Sequence, residues 1–370
     1  MIDDAADKSN IVFPIFMHAF GNILIFHPSA IGDAMLASPV AKTLKLNFPG
    51  AMITYWNHES LRQIMVGLCP SIDEYLDFSK ETPLFTLMKT VRQFKPDLFV
   101  DLSNSHRGIL MSYSISGKTL RYIKRPSNER PIMHAVDNFM ETIRPVCEEI
   151  PEAFFPTIFP EALAAERLPK VLTTTDGELK PMIGIVPGVG KHRAHRAWLK
   201  DGWLYLLDAI SKKGTQKAVL IGGEDEQELC TWLERESRSK CQNLAARLSL
   251  TETAALLKHC EVVVSGDTGP AHIAAAVGTP VIGLYGPTYA ARSGPYGYSN
   301  LVIDQSNKCG CIGAKSCAFT PYGDPGECMG KIMLSEILEK LDVVLYDRGK
   351  IKVEPCSSEH PEEGRPHRSA

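Results

Sequence analysis

The sequence predicts an α/β protein made of two doubly wound parallel-sheet domains that face a central cleft. Three observations carry this expectation. Short apolar runs alternate with amphipathic stretches in each half of the chain, the pattern of parallel strands covered on both faces by helices. The alternation stops at a Pro-, Glu- and Thr-rich stretch near the middle and then restarts. A length of 370 residues also exceeds what one ordinary core accommodates.

In chain order, residues 1–21 read as an N-terminal extension. The apolar segment from Ile11 to Phe26 is broken by Pro14, His18, Gly21 and Asn22, and only Lys8 supplies a positive charge ahead of it. It is too short and too interrupted to span a bilayer and lacks the basic front of a secretory signal, so a cytoplasmic chain with no transmembrane segment is expected. Met17 is an alternative start, since the first strand begins only near Asn22. The first domain, 22–160, reads as a strand Ile23–Phe26, a helix Ala34–Asn47, strands Met52–Trp56 and Leu98–Leu102, and helical segments after His134. Residues 161–180, with Pro169 and the run Thr173–Gly177, suit a linker. The second domain, 181–346, restarts with strands at Met182–Val186 and Ala218–Ile221 and ends in an amphipathic helix over Lys331–Tyr346. Residues 347–370 are charged and offer almost nothing apolar to bury, so a disordered tail is expected.

Composition narrows the function. With 44% hydrophobic and 22% charged residues the chain is an ordinary globular protein. A formal net charge of -3 argues against a dedicated nucleic-acid binder, which carries a basic excess. The ten cysteines are scattered, as expected of buried reduced thiols. Four of them, Cys309, Cys311, Cys317 and Cys328, crowd a Gly/Pro-rich loop. Their spacing is not the paired C-x-x-C arrangement of a zinc or iron site, so no metal is expected, and these four are the cluster that would hold one.

The stretch from Val262 to Gly286 is the most informative. It reads as a buried strand, a Gly/Asp/Thr loop, a short Ala-rich helix opening at Pro270, and a second apolar strand. The first N–H groups of such a helix are unpaired and carry partial positive charge, which suits a phosphate. A strand, a small-residue turn and a helix also occur in α/β proteins that bind nothing there. In the first domain the opening strand runs through His27-Pro28-Ser29-Ala30-Ile31-Gly32-Asp33 into a helix. This sets Asp33 at a strand tip facing the expected cleft, where ligands of open α/β sheets bind. As a lone residue, Asp33 reads first as a helix N-cap.

The order Asp267-Thr268-Gly269-Pro270-Ala271-His272, followed by Gly278-Thr279-Pro280-Val281 and Leu284-Tyr285-Gly286, resembles the donor-site signature of glycosyltransferase family 9, the lipopolysaccharide heptosyltransferases. Pro28-Ser29-Ala30-Ile31-Gly32-Asp33 with Ser38-Pro39-Val40 resembles the same family's N-terminal signature. The resemblance implies a GT-B architecture of two Rossmann-like domains. It also implies an inverting, metal-independent transferase that moves a heptose from ADP-L-glycero-D-manno-heptose, or a related nucleotide sugar, with no cofactor. The implied acceptor is a lipid-linked saccharide of the lipopolysaccharide core at the inner membrane surface.

The residue roles come with the resemblance. Asp33 becomes the catalytic base, Asp267 a contact to sugar hydroxyls, Thr268 and Gly269 the phosphate cradle, and His272 a support for the loop. Pro187 and Gly188 end the first strand of the second domain on the donor side. Arg196-Ala197-Trp198-Leu199 resembles a Lys-x-Trp-Pro element whose lysine reaches the donor phosphates; arginine keeps the charge and changes the geometry. Gly222-Gly223-Glu224-Asp225-Glu226 resembles a Gly-Gly-x-x-Glu segment whose glutamate holds a ribose, which points to Glu226, with Glu224 as substitute; an acidic helix start is the plain alternative. Lys191, His192, Arg193 and His195 crowd the Arg196 loop, either as donor contacts or as a solvated basic loop. On the acceptor side Ser29, Gly32, His106 and Arg107 are the candidates. His134-Ala135-Val136-Asp137 also resembles a family pattern, with no role beyond packing.

One departure bears on the chemistry. His27 stands where the family usually carries Arg or Lys, and histidine is only partly charged near neutral pH. No Asp-x-Asp pair follows an apolar strand, so basic side chains and a helix N-terminus would neutralise a leaving diphosphate. A nucleotide-sugar 2-epimerase of the same architecture and a non-catalytic sugar-nucleotide binder remain the alternatives.

Overall fold

A computed structural model of the chain describes residues 20–126, 129–151, 153, 155–160, 182–214, 216–239, 241–314, 316–321 and 323–346. The expected extension with its alternative start at Met17, the expected linker and the expected tail lie outside the described residues, apart from the first sheet's lead-in at Phe20 and Gly21. The first half contains β1 (Asn22–Phe26), α1 (Ile31–Asn47), β2 (Met52–His58), α2 (Arg62–Leu68), β3 (Glu74–Phe78), α3 (Leu84–Phe94), β4 (Leu98–Asp101), α4 (His106–Ser112), β5 (Lys118–Arg121) and α5 (Ala135–Ile143). Its strands form one parallel sheet in the order β3-β2-β1-β4-β5. The second half contains β6 (Met182–Val186), α6 (Lys200–Lys213), β7 (Lys217–Leu220), α7 (Gln227–Glu236), β8 (Gln242–Asn243), α8 (Leu250–His259), β9 (Cys260–Gly266), α9 (Gly269–Ala276), β10 (Val281–Tyr285), α10 (Ala290–Ser293), β11 (Ile303–Asp304) and α11 (Leu334–Tyr346). These strands form a second parallel sheet, ordered β11-β10-β9-β6-β7-β8.

Local chemistry accounts for the element that matters most to the cleft. α1 contains Pro39, which has no N–H to offer the carbonyl of Met35. The Ser38 hydroxyl donates to that carbonyl instead, at 2.8 Å, so the buried acceptor is satisfied and the helix continues to Asn47. α8 starts on a reciprocal cap, with the Glu252 amide donating to Ser249 Oγ and the Ser249 amide donating to Glu252.

The halves are packed on each other. One apolar cluster runs from Ile25, Met35 and Val40 in the first half to Leu256, Ile273 and Tyr296 in the second. α1 crosses α9 where both helices begin with glycine-bearing turns. A Cβ on Gly269 would sit 2.2 Å from Ile31 Cγ2, and one on Gly32 would sit 2.9 Å from the His272 ring. Side chains larger than hydrogen would push the helices apart at both points. Polar contacts reinforce the junction: the Ile158 amide donates to the Ala276 carbonyl, and His134 Nε2 lies 3.1 Å from the Gly294 carbonyl. His134-Ala135-Val136-Asp137, a segment without an assigned role in the sequence, is therefore a docking element. Its Asp137 accepts from the Tyr296 hydroxyl at 2.9 Å.

Burial pushes the Asp137 carboxyl up to about 6, against the pull of the Tyr296 hydrogen bond. Tyr296→Phe leaves a half-buried carboxylate without that donor and is expected to cost about 1–3 kcal/mol at pH 8. The loss should shrink at pH 5, where Asp137 is protonated. Urea unfolding of both proteins at the two pH values checks this, and an equal loss at both would show that the carboxylate's charge is not involved.

Candidate active site

The chain between β1 and α1 sets Asp33 on the first turn of the helix. The N-cap is Ala30, which makes no side-chain cap, so Asp33 is the third helical residue and not the cap. Its exposed carboxylate makes no hydrogen bond or ion pair with any other described residue and lines the cleft between the halves.

Across the cleft, β9 ends at Gly266 and α9 begins at Gly269. The Thr268 side chain does not cap α9; its Oγ1 pairs with Ser265 Oγ at 3.2 Å. The first amides of α9 are therefore left for a ligand. Asp267 Oδ2 accepts from Arg196 Nη1 at 2.7 Å and from Thr288 Oγ1 at 3.0 Å. Both members of this ion pair are largely out of solvent, and removing one would leave the other costly to keep. Burial lowers the Arg196 pKa and Asp267 opposes that, which leaves the guanidinium charged. Glu226 ties two turns together: Oε1 accepts from the Gly190 amide at 3.0 Å and Oε2 from the Gly223 amide at 2.9 Å. Only a glycine fits at 188, because a Cβ there would lie 2.0 Å from Glu226 Cγ.

The resulting cleft has a volume of about 660 Å³. Of the sequence candidates it brings together Gly32, Asp33, Gly188, Arg196, Glu226, Asp267, Thr268, Gly269 and His272. Pro187 and Ser29 sit beside lining residues without lining the cleft themselves. Ser29 is drawn the other way, its amide donating to Asn57 Oδ1 at 3.0 Å. His106 and Arg107 are not in the lining: the Arg107 guanidinium donates to the carbonyl of Lys80 at 2.9 Å. Of the basic loop, Arg193 reaches the cleft, whereas Lys191 pairs with Asp225 at 3.2 Å and His195 is buried. Glu224, the substitute for Glu226, does not line it.

Lys124, Thr288, Tyr289 and Arg292 also line the cleft and were not singled out in the sequence. Each follows the carboxyl end of a strand, β5 or β10, where ligands of parallel sheets bind. That rule applied to every strand end would have found them, but β5 is short and half polar and does not read as a strand.

His27 does not supply a cation. It is buried against the Phe139 ring, with Nδ1 2.7 Å from the Tyr55 hydroxyl. Burial pushes its pKa down to about 4, with Asp33 pulling weakly the other way. Positive charge in the cleft comes instead from Lys124, Arg193, Arg196 and Arg292. His272 is also buried and shifted down by burial, and its ring fills the space beside Gly32. Cys309, Cys311, Cys317 and Cys328 are free thiols, with Cys311 and Cys317 sulfurs 3.7 Å apart. Among the described residues no group of three or more metal-ligating side chains is arranged to hold an ion.

The buried histidines make stability depend on pH. His27 at about 4 and His134 at about 3, both lowered by burial, stay neutral in the fold where the unfolded chain takes up protons near 6.5. The unfolded state therefore binds more protons below that value, and stability falls as pH drops from 6.5 towards 4, by about 1.4 kcal/mol per pH unit for each such histidine. Asp137, raised to about 6, opposes this with one proton between its unfolded value and 6. His27→Gln should flatten the slope of unfolding free energy against pH by about one proton, measured by urea titration from pH 7 to 4.5.

Residues 103–322 match the model of glycosyltransferase family 9 (heptosyltransferase). The lipooligosaccharide heptosyltransferase 2 of Haemophilus influenzae is 29% identical over 309 residues, covering 76% of this chain and 88% of that protein. Two solved structures share the fold. A family 9 glycosyl transferase from Veillonella parvula superposes with a TM-score of 0.71 at 19% identity, over 88% of this chain and 97% of its own. The ADP-heptose lipopolysaccharide heptosyltransferase II of Escherichia coli gives 0.70 at 19% identity, over 89% and 99%. The chain thus belongs to glycosyltransferase family 9, the heptosyltransferases, and is a glycosyltransferase of GT-B architecture.

Proposed function

We propose that the chain transfers a heptose from an ADP-heptose to a saccharide of the lipopolysaccharide core, with inversion and without a metal ion. The observation that supports this most directly is the placement of Asp33 and the Thr268–Gly269 turn in the same cleft, one from each half. The donor's diphosphate lies against the first amides of α9, within reach of Arg196 and Arg193. Asp267, held by Arg196 and Thr288, keeps Oδ1 for a sugar hydroxyl, since its described hydrogen bonds all fall on Oδ2. The Glu226 carboxylate retains lone pairs beyond its two amide bonds with which to accept from ribose hydroxyls.

In the transfer step the Asp33 carboxylate takes the proton of the acceptor hydroxyl while that oxygen bonds to the anomeric carbon. The bond from this carbon to the diphosphate breaks on the opposite face, and its electron pair leaves with ADP. The extra negative charge is met by fixed guanidinium groups and amide dipoles that need no reorganisation. A cleft lined by Lys124, Arg193, Arg196 and Arg292 has the positive charge to do this without magnesium. Acceptors that are lipid-linked are presented from the inner membrane surface. Among the described residues no helix is long and apolar enough to cross it.

Asp33→Asn should lower kcat by about 10²–10⁴-fold while ADP-heptose binding, measured by calorimetry, is unchanged. Wild-type turnover in this variant would remove Asp33 as the base. Turnover of the native protein in excess EDTA should match that without chelator. Isomerised donor formed with no acceptor present would replace transfer with epimerisation.

A further inference from the structure

Charge is distributed very unevenly along this chain. Residues 80–130 contain ten Lys or Arg and four Asp or Glu, a net of +6 within a protein whose total is -3. The segment forms α3, β4, α4 and β5, the far edge of the first sheet. α3 and α4 pack against each other over the same face of that sheet, burying Leu87, Val91 and Met111 beneath them. Their outward surfaces are not those of an ordinary solvated helix. On α3, Phe85, Lys89 and Arg92 are exposed at positions i, i+4 and i+7, which is one face. On α4, exposed His106 and Leu110 continue at the same spacing to Tyr113. Phe85 is 73% exposed, Tyr113 81%, and Ile123, just after β5, 77%.

We infer that this α3–α4 face, with the Ile123 loop, docks the protein on an anionic lipid surface. Large apolar side chains interleaved with cations match a bilayer interface, where rings and aliphatic tips enter the acyl boundary and Lys and Arg meet anionic headgroups. A nucleic-acid surface would use the cations and leave Leu110 and Ile123 unexplained. Ile123 is followed in the chain by Lys124, one of the cations that line the cleft. Docked this way, the membrane brings its lipid-linked molecules to the side of the cleft that holds Asp33. The docking itself stands on charge and exposure; only the identity of the molecule delivered rests on the function proposed above.

Full-length protein should co-sediment with phosphatidylcholine vesicles containing phosphatidylglycerol, and not with pure phosphatidylcholine vesicles. Binding should be lost at about 1 M salt, where screening falls to about 3 Å. The double variant Lys89→Glu/Arg92→Glu should lower partitioning at least about 25-fold, at about fivefold per cation removed. Phe85→Ser/Tyr113→Ser should lower it at least about fivefold, and both variants should keep native melting and ADP affinity. Equal sedimentation with both vesicle types, salt-independent binding by the native protein, or full binding by both variants would overturn the proposal. So would single-stranded RNA binding as tightly as the anionic vesicles and insensitive to the Phe85/Tyr113 change. Vesicle binding by a protein that fails to bind ADP-heptose would sink the ADP-heptose donor proposed above and leave this surface standing.

Discussion

The close approach of two helix starts governs the rest of this molecule. α1 and α9 come from different halves, and each begins at the carboxyl end of a central strand of its own sheet. They can touch because Gly32 and Gly269 present no side chain at the crossing, where His272 and Ile31 take up the space. That contact puts a carboxylate on the first turn of one helix opposite the unpaired amides of the other. In the function proposed above, that carboxylate is the base for the incoming hydroxyl and those amides are the cradle for the departing anion, both within one cleft.

The surrounding interactions hold this arrangement and tune its charge. Glu226 spans the turns after β6 and β7, so this wall of the cleft is braced by one carboxylate that accepts from two backbone amides. The Arg196–Asp267 pair does the same for the loop after β9. The histidines near the crossing, His27, His134 and His272, are buried with pKa values lowered by that burial, so they serve as packing and hydrogen-bonding groups. The positive charge of the cleft comes from three arginines and a lysine. The neutral rings thus lie on the inside and the cations on the cleft wall.

Much of the fold was legible in the sequence because buried parallel strands are short, continuous apolar runs. The runs at Ile23–Phe26, Met182–Val186 and Val262–Val264 lie in the central strands β1, β6 and β9. β3 and β5 escaped notice, since they carry Glu74, Asp77, Lys118 and Arg121 and sit at the edges of their sheet, where half-exposed residues erase the pattern. Helix starts were read late for the same kind of reason: α1 begins at Ile31, ahead of Ala34, because Ala30 gives no capping signal. The segment His134–Asp137 looked like packing alone. Its role appears only with Gly294 and Tyr296 beside it, about 160 residues further along the chain.

The sequence by itself determined the parts whose physics is local: apolar strands, the loop that opens α9 with free amides, and an acidic residue where the chain turns from the first strand into the first helix. It also carried the family signatures at Asp33 and Asp267–His272. Tertiary structure alone decided which of those parts meet. It joined Asp33 to the α9 turn, drew Lys124 and Arg292 into the cleft, left His106 and Arg107 outside its lining, and removed the charge from His27. The reason is that pairing across the cleft depends on how two sheets dock, and burial of a single ring depends on neighbours that no stretch of adjacent residues specifies.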